Sequence, residues 1–176
     1  MGLRASLLTT SLIVLTLVCA SGCRWTARGR NMSGAALHHQ GRYHEAIQEF
    51  QTALDADPVN ADAYYNMASS YHGLGKVNGD QAMLMQAEQL YNQCLDISPD
   101  HPECHRGLAA LLVETGRSDK AFTLLNRWSQ RSPQLIDPHV ELARLYQAFG
   151  QPQMAVRNLE QAVAVDACTL QAARAW

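Results

Sequence analysis

Four copies of one spaced pattern of small and large residues constrain the fold of this chain more than any other feature. In the first copy, Ala46, Phe50 and Ala53 stand four and three residues apart, and Pro58 follows. This spacing places the three side chains on one face of a helix that ends before the proline. The later copies read Ala87, Tyr91, Cys94 and Pro99; Ala121, Leu125, Trp128 and Pro133; and Ala155, Leu159 and Ala162, with Ala167 in the place of proline.

An amphipathic stretch precedes each copy and predicts a second helix. Tyr64, Ala68 and Tyr71, for example, stand four and three residues apart on one face of such a helix. We expect a glycine to end each of these helices in the left-handed conformation that favours this residue. The stretch before the first copy contains Gly29 and Gly34, so we expect that helix to fray. The expected turn glycines are Gly41, Gly75, Gly116 and Gly150.

The 34-residue step from Ala87 to Ala121 to Ala155, together with the small and large pattern, resembles the tetratricopeptide repeat (TPR) family. The resemblance implies an all-α fold, a right-handed α-solenoid of about four TPR helix-turn-helix repeats across residues 27–170. Since a lone repeat cannot bury its apolar face, stability would come from stacked neighbours. The repeats would occupy residues 27–60, 61–101, 102–135 and 136–169, and an incomplete C-terminal helix would occupy 170–176. The residues expected to pack the repeats are Ala46, Phe50, Ala53, Ala87, Tyr91, Ala121, Leu125, Ala155 and Leu159.

The second repeat departs from the family pattern by an insertion at residues 76–82. We expect a loop from Lys76 to Asp80, with Asp80 as the N-cap of a long helix that begins at Gln81. A surface insertion of this length costs little chain entropy and is readily tolerated. The alternative is a contact loop that uses the adaptable side chains of Met83 and Met85.

The N-terminus has the pattern of a targeting segment. Arg4 precedes the apolar run Leu7–Ala20, which is shorter than the ~20 residues of a membrane-spanning helix but is typical of a signal peptide. The run leads into Ala20-Ser21-Gly22-Cys23, which resembles the lipobox of bacterial lipoproteins. We therefore expect a signal peptide over 1–22, a lipidated Cys23, a short tether to residue 26, and a place at a bacterial envelope membrane, the outer membrane or periplasm in a Gram-negative cell. The alternative is ordinary secretion, with cleavage near Ala20 or Gly22.

Composition and motifs argue against catalysis, cofactors and nucleic-acid binding. The net charge of −2, without a cluster of Lys and Arg, does not suit a phosphate backbone. No Ser/His/Asp spacing, glycine-rich phosphate loop or pair of carboxylates stands out. We therefore expect no enzyme activity and no cofactor.

His101, Cys104 and His105 are weak candidates for a metal site, because the two histidines stand four residues apart. His101 falls in an expected turn and His105 at an expected packing position, so we predict no metal. Cys94 stands at a small-residue packing position and is expected to be an inert buried thiol. Cys104 and Cys168 lie near expected turns, where reaction or pairing between chains stays open.

The TPR resemblance also implies a concave groove, lined by the first helix of each repeat, that binds peptides. Members that bind chaperone tails use a carboxylate clamp of Lys, Asn and Arg side chains. Only Asn66 matches that clamp here, since Asn31, Ala35, Glu103 and Gly107 stand at other clamp positions, and the clamp is therefore absent. The alternative is that the inward side chains merely face solvent. The groove candidates are Tyr65, Asn66, Ser69, His72, Arg106, Arg144 and Gln147.

The sequence therefore predicts a non-catalytic adaptor, anchored by lipid at a bacterial envelope, that binds a peptide segment of a protein partner. Pilus, outer-membrane and cell-wall assembly are open settings for it. Two further function classes also stay open. One is a metal- or redox-handling protein that uses His101, Cys104 and His105. The other is a structural element that self-associates through a C-terminal face containing Leu159 and Val163.

Overall fold

The computed structural model describes the backbone of residues 25–174 and the side chains of residues 25–167. The expected signal peptide, Cys23 and residues 175–176 lie outside this range. Every regular element in the described range is an α-helix, as the repeat pattern predicted. The helices are α1 (25–39), α2 (Tyr43–Ala56), α3 (Ala61–Asn78), α4 (Gln81–Ile97), α5 (Pro102–Glu114), α6 (Ser118–Arg131), α7 (Asp137–Ala148) and α8 (Pro152–Arg174).

Glycines in the left-handed conformation follow α1, α5 and α7, as expected. Gly41, Gly116 and Gly150 have φ angles of 75°, 75° and 68°. A residue with a Cβ atom is strained at such angles, whereas glycine is not. These three turns therefore confirm the prediction that a left-handed glycine separates the two helices of a repeat.

The second repeat contradicts the predicted loop. Helix α3 continues past Gly75 to Asn78, and Gly79, with φ of 65°, ends it instead. Gly75 has a packing role, because a Cβ atom there would lie 2.7 Å from a methyl carbon of Leu84. Asp80 does cap α4 as predicted, since its Oδ1 accepts the amide hydrogen of Ala82 at 2.8 Å. The insertion thus extends α3 and α4 across most of its length.

The chain divides into two compact units, Met1–Leu90 and Tyr91–Trp176, and each has its own core. In the first unit, Phe50 of α2 is fully buried against Gly34 of α1. A Cβ atom at Gly34 would lie 2.5 Å from the Phe50 ring, so only glycine permits this approach. Arg30 and Glu49 add an ion pair at 3.1 Å between the same helices. Helix α1 is continuous across both of its glycines, and Gly34 serves packing rather than fraying.

The second unit repeats this arrangement between α4 and α5. Tyr91 is 2% exposed, and its ring lies where a Cβ atom at Gly107 would come within 2.6 Å. Trp128 and Leu125 of α6 are almost completely buried. Burial of large apolar side chains stabilises the fold by ~1.5–3 kcal/mol for each such residue. Tyr91, Leu125 and Trp128 therefore supply a large share of the core of this unit.

The turn between α4 and α5 is held by Asp100 and by a disulfide. The Asp100 carboxylate accepts hydrogen bonds from the Trp128 indole at 3.0 Å and the Ser132 hydroxyl at 2.6 Å. The Ser132 hydrogen bond, more than Arg131 and Trp128, holds the pKa of Asp100 below its usual value. Cys94 and Cys104 form the disulfide, with Cα atoms 6.5 Å apart. The expectation of an inert Cys94 thiol was therefore wrong, because the α4–α5 turn brings Cys104 against it.

The C-terminal part of the described chain also differs from expectation. Helix α8 runs without a break to Arg174, so residues 170–174 do not begin a separate helix. Among the side chains that the structure describes on α8, residues 152–167, the buried ones are Ala155, Asn158 and Ala162, and the helix packs on α7. Leu159 was predicted to pack between repeats but is 48% exposed, since no helix after α8 covers it within the described range. Self-association through this exposed face stays a prediction.

We predict that Phe50→Ala lowers the free energy of unfolding by ~3–5 kcal/mol, since the ring is fully buried and Gly34 beside it has no side chain to fill the cavity that truncation creates. Val59, which is 70% exposed, provides the control Val59→Ala, with an expected change within ~0.5 kcal/mol. Urea unfolding followed by circular dichroism measures both. A loss below ~1 kcal/mol for Phe50→Ala would show that the α1–α2 contact is weak.

Candidate functional site

A buried carboxylate between two arginines marks the candidate site in the second unit. The Nε of Arg106 on α5 donates to Oε1 of Glu141 on α7 at 2.8 Å. Nη1 of Arg144, one helical turn after Glu141, lies 3.9 Å from the same oxygen. The Glu141 side chain is 6% exposed, whereas Arg106 and Arg144 are 46% and 62% exposed. The cluster therefore has a net charge of about +1, with its negative charge inside and its positive charges outside.

The local sequence explains how these side chains meet. Helix α5 begins at Pro102, where the missing amide hydrogen is harmless, and α7 begins in the same way with Pro138 near its first turn. The start of α5 is capped by His101, whose Nδ1 accepts the amide hydrogen of Cys104 at 3.4 Å. A buried carboxylate is tolerated only with close cationic partners, which Arg106 and Arg144 provide.

An apolar cleft lies beside this cluster, and we call it the α5–α7 cleft. Its volume is about 320 Å³. Small side chains on both helices line the cleft together with the two arginines and Glu141. The cleft can therefore hold an apolar side chain while guanidinium groups contact a carboxylate or a carbonyl oxygen. Its lining residues are Arg106, Ala109, Ala110, Val113, Glu114, Leu125, Glu141, Arg144, Leu145 and Ala148.

Of the groove candidates in this unit, Arg106 and Arg144 come together at the cleft. Gln147 is exposed on α7 but does not line the cleft. Glu141 was missed by sequence reasoning, although it stands 35 residues after Arg106, about one repeat length, and three before Arg144. That spacing is the signal that could have identified the ion pair in advance.

The remaining candidates lie on α3 in the first unit. Asn66 donates from Nδ2 to Oδ1 of Asn31 on α1 at 2.9 Å, and Tyr65 and Ser69 are half-buried. His72 is buried, at 9% exposed, so its side chain is poorly accessible to a partner. Asn31 also lines a wider depression of about 740 Å³ with Trp25, Arg28, Gly29, Met32, Asp57, Asn60 and Asp62.

The metal-ligand candidates are arranged differently from the set that the sequence indicated. A ring nitrogen of His101 and the sulfur atoms of Cys94 and Cys104 lie within 4.8 Å of one another. His105 is not in this group, because its ring stacks on Trp128 at 4.0 Å and its Nε2 lies 2.9 Å from the Pro99 carbonyl oxygen. Burial lowers the pKa of His105 to about 4, so its imidazole is neutral near pH 7.

Within residues 25–174, no helix combines the length and the apolar character that a membrane span requires. The described range therefore contains no membrane-spanning helix of its own.

Two TPR family models match this chain. One, described as TPR repeat, matches residues 34–75, and the other, described as tetratricopeptide repeat, matches residues 80–141. Human tetratricopeptide repeat protein 8 is 28% identical over 93 residues, which are 53% of this chain but 16% of that protein. The chain spans 10 to 16% of the length of the curated relatives it matches.

Solved structures with this fold include MamA and the first TPR domain of Spaghetti (RPAP3) bound to the HSP90 peptide SRMEEVD. The MamA structure is 16% identical, with 82% of this chain and 81% of that one covered and a TM-score of 0.57. The Spaghetti domain is 23% identical, with 72% and 98% covered and a TM-score of 0.57. Helix pairs, left-handed turn glycines and both family matches lead to one conclusion: the chain belongs to the tetratricopeptide repeat family.

Proposed function

We propose that this chain is a non-catalytic adaptor that binds a peptide segment of a protein partner in the α5–α7 cleft. We further propose that a lipid on Cys23 holds it at a bacterial envelope membrane. The observation that carries the first proposal is the Arg106–Glu141–Arg144 cluster in the lining of an apolar cleft. No chemistry beyond binding is needed for this role, and TPR repeats generally serve interaction rather than catalysis.

The dimensions of the cleft favour side chains of a peptide over a large cofactor. Its volume of about 320 Å³ is near the lower end of the roughly 300–1,000 Å³ typical of small-molecule sites. Alanine and valine are among its lining residues, so an apolar side chain of the partner would replace water there. The preferred segment therefore presents one apolar anchor residue to the space between Ala110 and Ala148.

The charges around the cleft favour at most one acidic group next to that anchor. Glu141 neutralises about one of the two guanidinium charges, and Glu114 also lines the cleft, so the cleft has no excess positive charge for a polyacidic segment. Glu141 also orients Arg106 by the bond to Nε, which limits the side-chain entropy that binding would remove. Arg144 is the more exposed cation and is therefore the principal donor to a partner.

The peptide complex of the Spaghetti TPR domain supports a peptide-binding role for this fold. Its particular ligand is a poor guide to the partner here. The carboxylate-clamp positions expected from the family hold Glu103 and Gly107 in this chain rather than basic residues. A peptide such as SRMEEVD should therefore bind weakly, which makes it a useful reference ligand.

The anchor proposal is supported by the N-terminal sequence. An arginine, an apolar run and the small residues before Cys23 are the features that direct lipid attachment in bacterial lipoproteins. Because Trp25 already begins α1, such an anchor would leave almost no tether, and the first unit would lie close to the lipid surface.

We predict that peptides selected from a random library on the purified chain lose affinity by ~10-fold or more with Arg144→Glu. A hydrogen bond to a charged group contributes ~1.5–3 kcal/mol, which corresponds to about that loss. Ala110→Trp should abolish binding by filling the cleft. Arg127→Glu, an exposed charge change on α6, is the matched control and should leave affinity within ~2-fold.

Fluorescence anisotropy with a labelled selected peptide measures these affinities, and circular dichroism checks that helicity persists. Equal binding by wild type and Ala110→Trp would place the peptide outside the α5–α7 cleft. SRMEEVD, tested in the same way, should bind more weakly than the selected peptides.

We predict that a clickable palmitate analogue labels the chain in bacteria and that Cys23→Ala removes the label. Cys19→Ala is the matched control and should retain it, because bulky Val18 precedes Cys19 and does not suit the cleavage site. In-gel fluorescence after conjugation reads out the label. Label that survives Cys23→Ala, or no label on the wild-type chain, would contradict a lipid anchor at this cysteine.

A further inference from the structure

The turn between α4 and α5 brings together three residues that the peptide-binding proposal does not use. Cys94 lies near the end of α4, Cys104 lies in the first turn of α5, and His101 caps that helix. The two sulfur atoms and a ring nitrogen of His101 are all within 4.8 Å of one another. The His101 side chain is 10% exposed, and both cysteines are fully buried.

We propose that reduction of the Cys94–Cys104 disulfide creates a Zn²⁺ site in which two thiolates and the imidazole of His101 are the ligands. The structure shows the oxidised state, in which the sulfur atoms are bonded to each other. The reduced state offers a borderline-soft cation two sulfur donors and one nitrogen donor. Two cysteines and one histidine are a ligand set that zinc accepts in proteins, and the fourth coordination position is then left for water or another group.

The distances in the turn require only small movements. With metal bonds of about 2.3 Å for sulfur and 2.0–2.1 Å for nitrogen, a tetrahedral ion holds sulfur and nitrogen about 3.5 Å apart and the two sulfur atoms about 3.8 Å apart. The sulfur atoms must separate to this distance when their bond breaks, and the imidazole nitrogen must approach by at most about 1.3 Å from its 4.8 Å limit. Shifts of this size lie within the range of side-chain rotation about the Cα–Cβ and Cβ–Cγ bonds.

Glu103 is placed to orient the histidine ligand. Its Oε2 lies 3.3 Å from Nδ1 of His101. When Nε2 binds the metal, Nδ1 carries the proton and donates it in a hydrogen bond to the Glu103 carboxylate. Metal-binding histidines in proteins commonly have such a carboxylate partner, which fixes the tautomer. Nδ1 then no longer accepts the amide hydrogen of Cys104, so the cap of α5 is exchanged for the metal bond.

The conversion balances with a dithiol, or with a phosphine that takes an oxygen atom from water to become the phosphine oxide while the two protons of that water go to the two thiols. A dithiol gives two electrons and two protons to the Cys94–Cys104 bond, forms its own disulfide and leaves two protein thiols. Zn²⁺ then displaces the two thiol protons as it binds, so affinity should rise with pH in the range where thiols ionise. Both states link α4 to α5, either through the sulfur–sulfur bond or through the ion. The turn therefore stays closed in both states.

The test uses the full chain with Cys19→Ser, Cys23→Ser and Cys168→Ser, so that Cys94 and Cys104 are the remaining thiols. The protein is reduced with a phosphine under anaerobic conditions and titrated with Zn²⁺ against a chromophoric chelator. Co²⁺ provides a spectroscopic probe, because thiolate ligation produces charge-transfer bands. We expect about one Zn²⁺ per reduced chain and none per oxidised chain.

Variants separate this site from adventitious binding. Cys94→Ser or Cys104→Ser should remove the Co²⁺ charge-transfer bands characteristic of two thiolates, and His101→Ala should weaken Zn²⁺ binding strongly. Glu103→Gln should weaken it by ~10–100-fold, as expected for a carboxylate that orients a ligand. His44→Ala, an exposed histidine on α2, is the control and should leave binding unchanged.

Failure of the reduced chain to bind Zn²⁺, or equal binding by Cys104→Ser, would overturn the proposal and leave the disulfide as a structural link alone. Circular dichroism of each variant shows whether it is folded. Because Glu103→Gln keeps the size of the side chain and removes its negative charge, its effect on Zn²⁺ binding does not depend on unfolding. Peptide binding is measured separately, so neither result decides the other.

Discussion

The rest of this structure depends on one kind of contact, in which an aromatic ring packs directly against a glycine of the neighbouring helix. Phe50 rests on Gly34 in the first unit, and Tyr91 rests on Gly107 in the second. A methyl group at either glycine would overlap the ring, so these pairs set how close the helices come. Because Gly107 follows Arg106, the Tyr91 contact also determines where Arg106 emerges from α5.

The chemistry of the second unit follows from the position of α5. One side of this helix carries Arg106 toward Glu141 and opens the α5–α7 cleft beside small residues. The start of the same helix carries Cys104 to Cys94 and His101 to the end of α4. The small residue at 107 permits the close approach of α5 to Tyr91 of α4. A peptide in the cleft and a metal ion at the turn would therefore contact different parts of a single helix.

Local patterns predicted the helices and three of the four turn glycines, because helix periodicity and glycine conformation depend on near neighbours in sequence. The fourth turn was misplaced, since Gly75 and Gly79 carry the same local signal. Only the packing of Leu84 shows that Gly75 is a contact residue inside α3. Periodicity also predicted Leu159 to be packed, but packing requires a covering helix, and none follows α8 in the described range.

The sequence predicted only part of the candidate site, because the remaining contacts depend on tertiary packing. Arg106 and Arg144 were found by their register on the first helices of their repeats. The spacing of Glu141 from both arginines is a sequence signal for the ion pair, but its burial depends on tertiary contacts that the repeat register does not give. The Cys94–Cys104 bond joins two positions that the repeat pattern assigns to different roles, so only the path of the α4–α5 turn shows that they meet.

The central claim is that a partner binds between α5 and α7, and crosslinking in living cells tests it most directly. A photoreactive benzoylphenylalanine is placed at Ala110, which lines the cleft, or at Arg127, which is exposed on α6. We expect a discrete crosslinked protein from position 110 and none from position 127. Adducts from position 127 alone, or equal adducts from both positions, would contradict it.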